Sequence, residues 1–260
     1  MVNDRRMTAL MKLTVFLVLL ALSLIGATRA TAQETKAAIP EDVAAYVLEA
    51  QAAMDQSDAD LDPWEKFNDS MFRFNKRLDE VIVKPVATVW DAALPDSFQR
   101  GLHNALDNAL YAVRRVLNNS LQGKFQRAGR ELARFTINST LGYAGFLDVA
   151  KDYFGIQQAD EDFGQTLAVW GSKSGPYLIL PFVPEPMTMR DGAGRIMDAL
   201  LNPITWTVPF GARAGMWAVE GINDRSLNLD KFQRVEESVV DLYSAVRNAY
   251  LQRRAAAIRE

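Results

Sequence analysis

The chain has no cysteine among its 260 residues, and a single histidine, His103. The first absence removes disulfides, thiol nucleophiles, iron–sulfur clusters and thiolate zinc sites together. The second leaves no material for a His-rich metal site or a conventional Ser–His relay. Fifteen Gly and ten Pro are too few for a fibrous or low-complexity chain. A net charge of −3 argues against a broad nucleic-acid surface. No G-x-S-x-G is present, since GSKSG carries Lys173 at its centre, and the GAG at 192–194 is followed by Met197 rather than a third Gly. DQSDADLD is no EF-hand loop either: counted from Asp55, the sixth position is Asp60 and the twelfth Lys66. The sequence therefore predicts no catalytic residues, no metal and no cofactor.

Hydrophobic residues make up 49% of the chain and charged residues 23%, an ordinary globular mix. At the N-terminus, Arg5, Arg6 and Lys12 precede a charge-free run from Leu13 to Gly26, and Ala30-Thr31-Ala32 supplies small residues at −3 and −1 of a cleavage site. Basic, apolar, A-x-A is the order of a secretory signal, so residues 1–32 are expected to be removed, leaving a periplasmic or envelope protein of net charge −6. Residues 33–61 are rich in Ala and acids and read as a solvated tether. The folded domain is expected over 62–255.

The periodicity there is helical. Asp62, Pro63 and Glu65 suggest an N-cap, first-turn proline and capping box. Trp64, Phe67, Met71, Phe74 and Leu78 then recur at 3 and 4, and Pro85 marks the expected stop. Further helices are predicted from Asp96 to Gly123, from Phe125 to Gly142, from Phe163 to Trp170, from a Thr188/Asp191 cap to about Leu201, and around Met216–Ile222. A last helix is expected from Phe232 to Ala249. GSKSGPYLILPFVPEP, with four Pro and two Gly, is a loop or short extended segment. The fold class predicted is all-α, six to eight helices in one domain.

Thirteen Phe, seven Tyr and five Trp lie mostly on helix faces. Core packing and burial in a bilayer interface both explain such faces; no segment after the leader has the ~20 apolar residues of a spanning helix. Arg114, Arg115, Arg127, Arg130 and Arg134 form a basic cluster, readable as a phosphate-headgroup site or as a solvated helix face.

The residues go further than the pattern. DPWEKFNDSMFRFN at 62–75 resembles the D-P-x-E-x-F-N-x-x-M-F-x-F-N opening of the MlaA (VacJ) family of outer-membrane phospholipid-transport proteins. The likeness continues through KPVATVW at 84–90, RFTINSTLGYAGFLDVA at 134–150, EDFGQTLAVWGSKSGPYLILPF at 161–182, MRDGAGRIMDALLNP at 189–203 and YSAVRNAYLQRR at 243–254. The resemblance implies a ring-like helical protein with an amphipathic central channel, seated in the outer membrane on its periplasmic side. It implies non-enzymatic removal of phospholipid from the outer leaflet, transfer to a periplasmic lipid carrier, and association with trimeric porins. Family members usually carry a lipid on a cysteine; this sequence has none, so attachment is expected through embedded helix faces or a protein partner. The alternatives are a periplasmic envelope adaptor and a membrane-associated lipid-modifying enzyme. Candidate lipid-path residues are Phe67, Asn68, Phe72 and Asn75, which combine amides with aromatics on one helix. Gly175, Pro176, Tyr177, Pro181 and Phe182 are candidate gate or loop residues, and Trp206 and Phe210 candidate membrane-face residues.

Overall fold

The first helix of the domain, α1 (Glu65–Leu78), does not end in a stop. It passes into a π turn, Asp79–Val83, and continues as α2, Lys84–Ala93. Pro85 lacks an N–H, and its ring would press on the carbonyl four residues back in a regular helix. The wider π turn directly before it absorbs that conflict, so the proline bends the path without ending it. These coordinates come from a computed structural model that describes residues 62–259; the expected leader and tether, over 1–61, lie outside them.

The capping box expected at Asp62 is also absent. The N-cap of α1 is Trp64, with no side-chain bond to the helix. Asp62 is buried instead, accepting from Asn68 Nδ2 at 2.7 Å, from the Tyr243 hydroxyl and from Arg247 at 3.3 Å. A carboxylate with a cationic partner and two neutral donors is held by more than the ~1 kcal/mol of an exposed cap.

The remaining elements follow the predicted periods closely. α3 (Asp96–Leu121) has 26 residues, about 39 Å at 1.5 Å per residue, and ends where Gly123 adopts φ +75. α4 (Phe125–Thr140) follows after three residues and returns along α3 as a helical hairpin. The one-turn α5 (Val149–Asp152) and α6 (Phe163–Val169) are capped by Asp148 and Asp162, which accept from the backbone N–H three residues on. Across the Pro-rich segment, β1 (Tyr177–Leu178) pairs antiparallel with β2 (Met187–Thr188), Tyr177 opposite Thr188. α7 (Met189–Leu201) starts at the predicted cap, with Thr188 accepting from the Asp191 N–H. Asn202 caps a short α8 (Pro203–Thr207), and α9 (Phe210–Leu227) follows. The long final helix expected from Phe232 to Ala249 is two helices, α10 (Leu229–Ser238) and α11 (Leu242–Arg259). The break falls where Val239 is extended and Asp241 offers its carboxylate to the Ser244 N–H and hydroxyl, a local cap that outcompetes continuation. Among the described residues, eight helices have ten residues or more and three are shorter.

α9 packs on α2 and α3, and α6 is wedged between α3, α7 and α11. The α6–α7 contact is backbone to backbone: a Cβ on Gly194 would fall 2.3 Å from the Gly164 nitrogen. One small apolar cluster, Tyr177, Ile179 and Tyr243 packed by Met71, Phe72, Tyr250 and Leu251, joins α1, the hairpin strands and α11. Polar networks fasten the rest. Arg254 on α11 reaches Asp162 with two bonds of 2.6 Å and Asp191 at 2.7 Å, and the Tyr250 hydroxyl donates to Asp191 as well. Gln99 of α3 donates to the Leu94 carbonyl and accepts from Ser226 of α9, while the Asn223 amide donates to the Gln99 carbonyl. Truncating Asp62 to Ala, which removes the acceptor shared by Asn68, Tyr243 and Arg247, is expected to cost about 3–5 kcal/mol. Chemical denaturation of the purified protein measures it, and a loss below about 1 kcal/mol, the net worth of one ordinary hydrogen bond, would show that the Asp62 network does not hold α11 in place.

Candidate functional site: a polar interior behind an apolar exterior

The interior is unusually polar, and the exterior carries many large apolar side chains beside its charges. Among the described residues, twenty-one polar or charged residues are buried against eleven hydrophobic ones, and five of those eleven are alanine. Outside, twenty-eight large hydrophobic side chains are exposed. Fully burying one large apolar side chain contributes roughly 1.5–3 kcal/mol, so this many left exposed favours an apolar phase over water around the protein. No helix among the described residues is long and apolar enough to cross a membrane. An apolar coat on helices that do not span a bilayer suits burial in one leaflet.

The predicted residues fall into three places. Asn68 and Asn75 lie on one face of α1 with their amides fully engaged by the Pro-rich segment. Asn68 donates to the Tyr177 carbonyl at 3.0 Å and accepts from the Ile179 N–H at 2.9 Å. Asn75 donates to the Leu180 and Val183 carbonyls and accepts from the Phe182 N–H. Phe72 is half-buried, edge-on to Tyr243, whereas Phe67 is exposed. Tyr177 is fully buried; Phe182, in the same segment, is 71% exposed, has φ +65 and meets Phe74 edge-on at 5.2 Å. Gly175 has φ +68, and a side chain there would crowd Met189. Pro176 lends its carbonyl to the Met189 N–H, and Pro181 is exposed on the turn beside Phe182. Together, α1 and residues 175–183 form one stapled unit. Trp206 and Phe210 lie apart from it, on α8 and the start of α9, 71% and 70% exposed.

The arginine cluster is neither a solvated face nor a single patch. Arg115 and Arg134 are buried: Arg115 grips Asp107 with two bonds of 2.9 and 2.7 Å and reaches Glu131 at 2.9 Å. Arg134 pairs with Asp148 at 2.9 Å and donates to the Ile156 carbonyl. Arg114 pairs with Asp160, Arg127 with Glu161, and Arg130 is exposed. Burial alone would raise the Asp148 carboxyl, but hydrogen bonds from Asn138 and Arg134 hold it below the usual range.

Between α3, α4 and residues 148–158 lies a concavity that the linear sequence did not reveal. An inner cavity of about 80 Å³ is lined by Asn104, Arg115, Glu131 and Phe135 among others. It shares His103, Asn104, Arg134, Asp148 and Gln158 with a more open basin of about 480 Å³. Only the helical register of α3 places His103, Asn104 and Asp107 together, and only the tertiary fold brings 148–158 to them. His103 Nδ1 sits 2.8 Å from Asp224 on α9, and that contact is the imidazole's hydrogen bond among the described residues. The bond to Asp224, with Asp107 and Glu220 nearby, holds the imidazole pKa above its ordinary 6.5. Among the described residues, no group of His, Cys, Asp and Glu is placed to hold a metal ion.

The decisive comparison is with whole families. Residues 60–257 match the family model of the MlaA lipoprotein. The chain belongs to that family. The intermembrane phospholipid transport system lipoprotein MlaA of Shigella flexneri is 38% identical over 195 residues, covering 74% of this chain and 76% of the relative. The protein of the same name from Escherichia coli K12 is 37% identical over the same shares. A solved chain, from work on the structural basis for maintenance of bacterial outer membrane lipid asymmetry, superposes with a TM-score of 0.68 at 34% identity, over 76% of this chain and 98% of its own. The family is thus reached independently by sequence pattern, relatives and fold.

The His103–Asp224 contact ties α3 to α9, and its sign with pH is fixed. A group whose folded pKa is raised stabilises fully below its unfolded value, near 6.5, and loses that contribution as pH rises through the folded value. His103→Gln is therefore expected to lower the melting temperature more at pH 5.5 than at pH 8.5. An equal loss at both would detach the imidazole's charge from the α3–α9 contact.

Proposed function

We propose that this chain is a phospholipid-transport component of the outer membrane that maintains lipid asymmetry, working without covalent chemistry. It withdraws phospholipid from the outer leaflet and passes it to a periplasmic lipid carrier. The single observation that carries this reading is the polar interior behind an apolar exterior. A phospholipid crossing a leaflet needs hydrogen-bonding groups for its phosphate and an apolar boundary for its tails, since an unpaired polar group in hydrocarbon is costly. The concavity beside α3 and α4 supplies the first, and the exposed faces of α2, α4, α8 and α9 supply the second. In this reading the helices surround an amphipathic passage in the inner half of the membrane. The stapled unit of α1 and 175–183, with Phe67, Phe72, Pro181 and Phe182 on it, forms one wall of the passage, Asn68 and Asn75 holding that wall in shape. Trp206 and Phe210 face lipid. Residues 1–32 are cleaved near Ala32 and 33–61 form a tether, with trimeric porins as neighbours in the membrane.

A lipid-modifying enzyme is the weaker reading. His103 and Asp224 make a base-and-orienter pair, but hydrolysis also needs a nucleophile on the imidazole. An envelope adaptor would have no use for a buried polar concavity.

Purified protein in vesicles of labelled phospholipid, incubated with a soluble lipid-carrier protein, is expected to deliver intact phospholipid. Lyso-lipid or free fatty acid in the products would establish the enzyme, and no movement at all the adaptor. Replacing Trp206 and Phe210 together with Glu is expected to shift protein from the detergent-extracted membrane fraction to the soluble fraction. High salt alone should not release the unmutated protein, because apolar burial of about 25 cal/mol per Å² is not screened. Salt release of the unmutated protein would make its attachment electrostatic.

A further inference from the structure

Resting on the phospholipid-transport reading, we infer that the open basin beside α3 is a phosphodiester subsite: Arg100 and Lys151 hold the lipid phosphate while Leu147, Tyr153 and Phe154 receive the acyl chains.

The charges inside the basin sort themselves. Of its cations, Arg134 is committed to Asp148 and to the Ile156 carbonyl, and His103 to Asp224. Arg100 has only an exposed partner on its own helix, Asp96 at 3.3 Å, and Lys151 makes no ion pair among the described residues. Arg100 and Lys151 thus face the basin with donors to spare, with Asp152 the remaining carboxylate on its lining. A guanidinium and an ammonium across a basin of about 480 Å³ suit a phosphate monoanion, the first by paired N–H donors and the second as a point charge. Asn104, Gln157 and Gln158 add neutral donors for ester and glycerol oxygens.

The rim supplies the other half of an amphipath. Leu147 directly precedes the basin residue Asp148, and Tyr153 and Phe154 directly follow Asp152; they are 45%, 82% and 57% exposed. Their backbone is fixed. The Gly155 N–H donates to the Lys151 carbonyl, the Ile156 N–H to the Ala150 carbonyl, and Gly155 turns the chain with φ +64. Asp148 caps the turn from the other side. Tyr153 and Phe154 leave more than half of their surface uncovered by the fold. A bound phospholipid covers it, with the phosphate inward and the tails running outward over the rim.

The test uses the full chain in detergent and three probes: dihexanoyl phosphatidylethanolamine, glycerophosphoethanolamine and inorganic phosphate. Calorimetric titration is expected to rank the short-chain lipid tightest. Arg100→Gln with Lys151→Gln should weaken the lipid and glycerophosphoethanolamine by about tenfold or more, as loss of two charge-assisted contacts implies. Tyr153→Ser with Phe154→Ser should weaken the lipid alone. Arg253→Gln, exposed and not lining the basin, should change neither. All these side chains are solvent-exposed, so unchanged circular dichroism and melting temperature serve as the folding control. Lipid binding unaffected by the Arg100/Lys151 pair overturns the subsite. So does phosphate binding as tightly as the lipid with no effect of the rim variants, which would make the basin a general anion site. The vesicle assay keeps this separate from the parent reading. Transport by the unmutated protein with basin variants indistinguishable from it removes the subsite and leaves transport standing. Absence of transport in the unmutated protein removes both.

Discussion

Everything in this structure depends on satisfying buried polar groups without the help of a large apolar core. Asp62, Glu131, Asp162 and Asp191 are carboxylates turned inward, and each meets an arginine or several neutral donors. A half-satisfied network of this kind would be worse than an apolar core, because each stranded charge would retain its desolvation cost. The consequence is an interior whose shape is set by directional bonds rather than by collapse. Helices that bury few apolar residues can then present their apolar faces outward, where a bilayer and not the protein itself covers them. That arrangement gives a phospholipid-transport protein both polar and apolar surfaces.

The regular elements were legible because their signals are local. The Thr188/Asp191 cap and the Gly123 stop are chemical statements made within four residues, and the helix termini fall where those residues place them. What was not legible depended on partners far along the chain. Asp62 looks like a cap in sequence, but Tyr243 and Arg247, about 180 residues away, claim it. Arg115 and Arg134 look like surface charge because helical spacing cannot reveal that Glu131 and Asp148 will face them. Val235, Val239 and Leu242 keep a helical spacing straight through a break that Asp241 makes by capping locally. The family resemblance overcame this limit for function, since motifs in order carry the fold's history. It gave no geometry, and the basin at 148–158 had to come from tertiary structure.

The stapling of residues 175–183 to α1 shows how the two kinds of information meet. The sequence offers Asn68 and Asn75 as lipid-path candidates and Gly175, Pro181 and Phe182 as gate or loop candidates. Their bonds give the physical reason for the stapling: a Pro-rich segment has carbonyls and few N–H groups of its own to pair, and two asparagines two turns apart on one helix face supply the missing donors. The segment is held firmly along its backbone while Phe182 stays exposed.

The π turn at Asp79–Val83 amounts to a helix carrying one residue more than its register requires. Each residue of an α-helix turns the chain by about 100°, so the extra one rotates everything downstream relative to everything upstream. Before the turn, α1 directs Asn68, Phe72 and Asn75 onto the Pro-rich segment; after it, α2 leaves Val86 and Val89 exposed while burying Ala87 against its neighbours. The two halves of what reads as one helix thus turn different faces inward, α1 by burying Asn68 and α2 by burying Ala87. Shortening this stretch by a single residue would give a better-formed helix with its outer face pointing the wrong way, which is a reason for such a costly irregularity to persist.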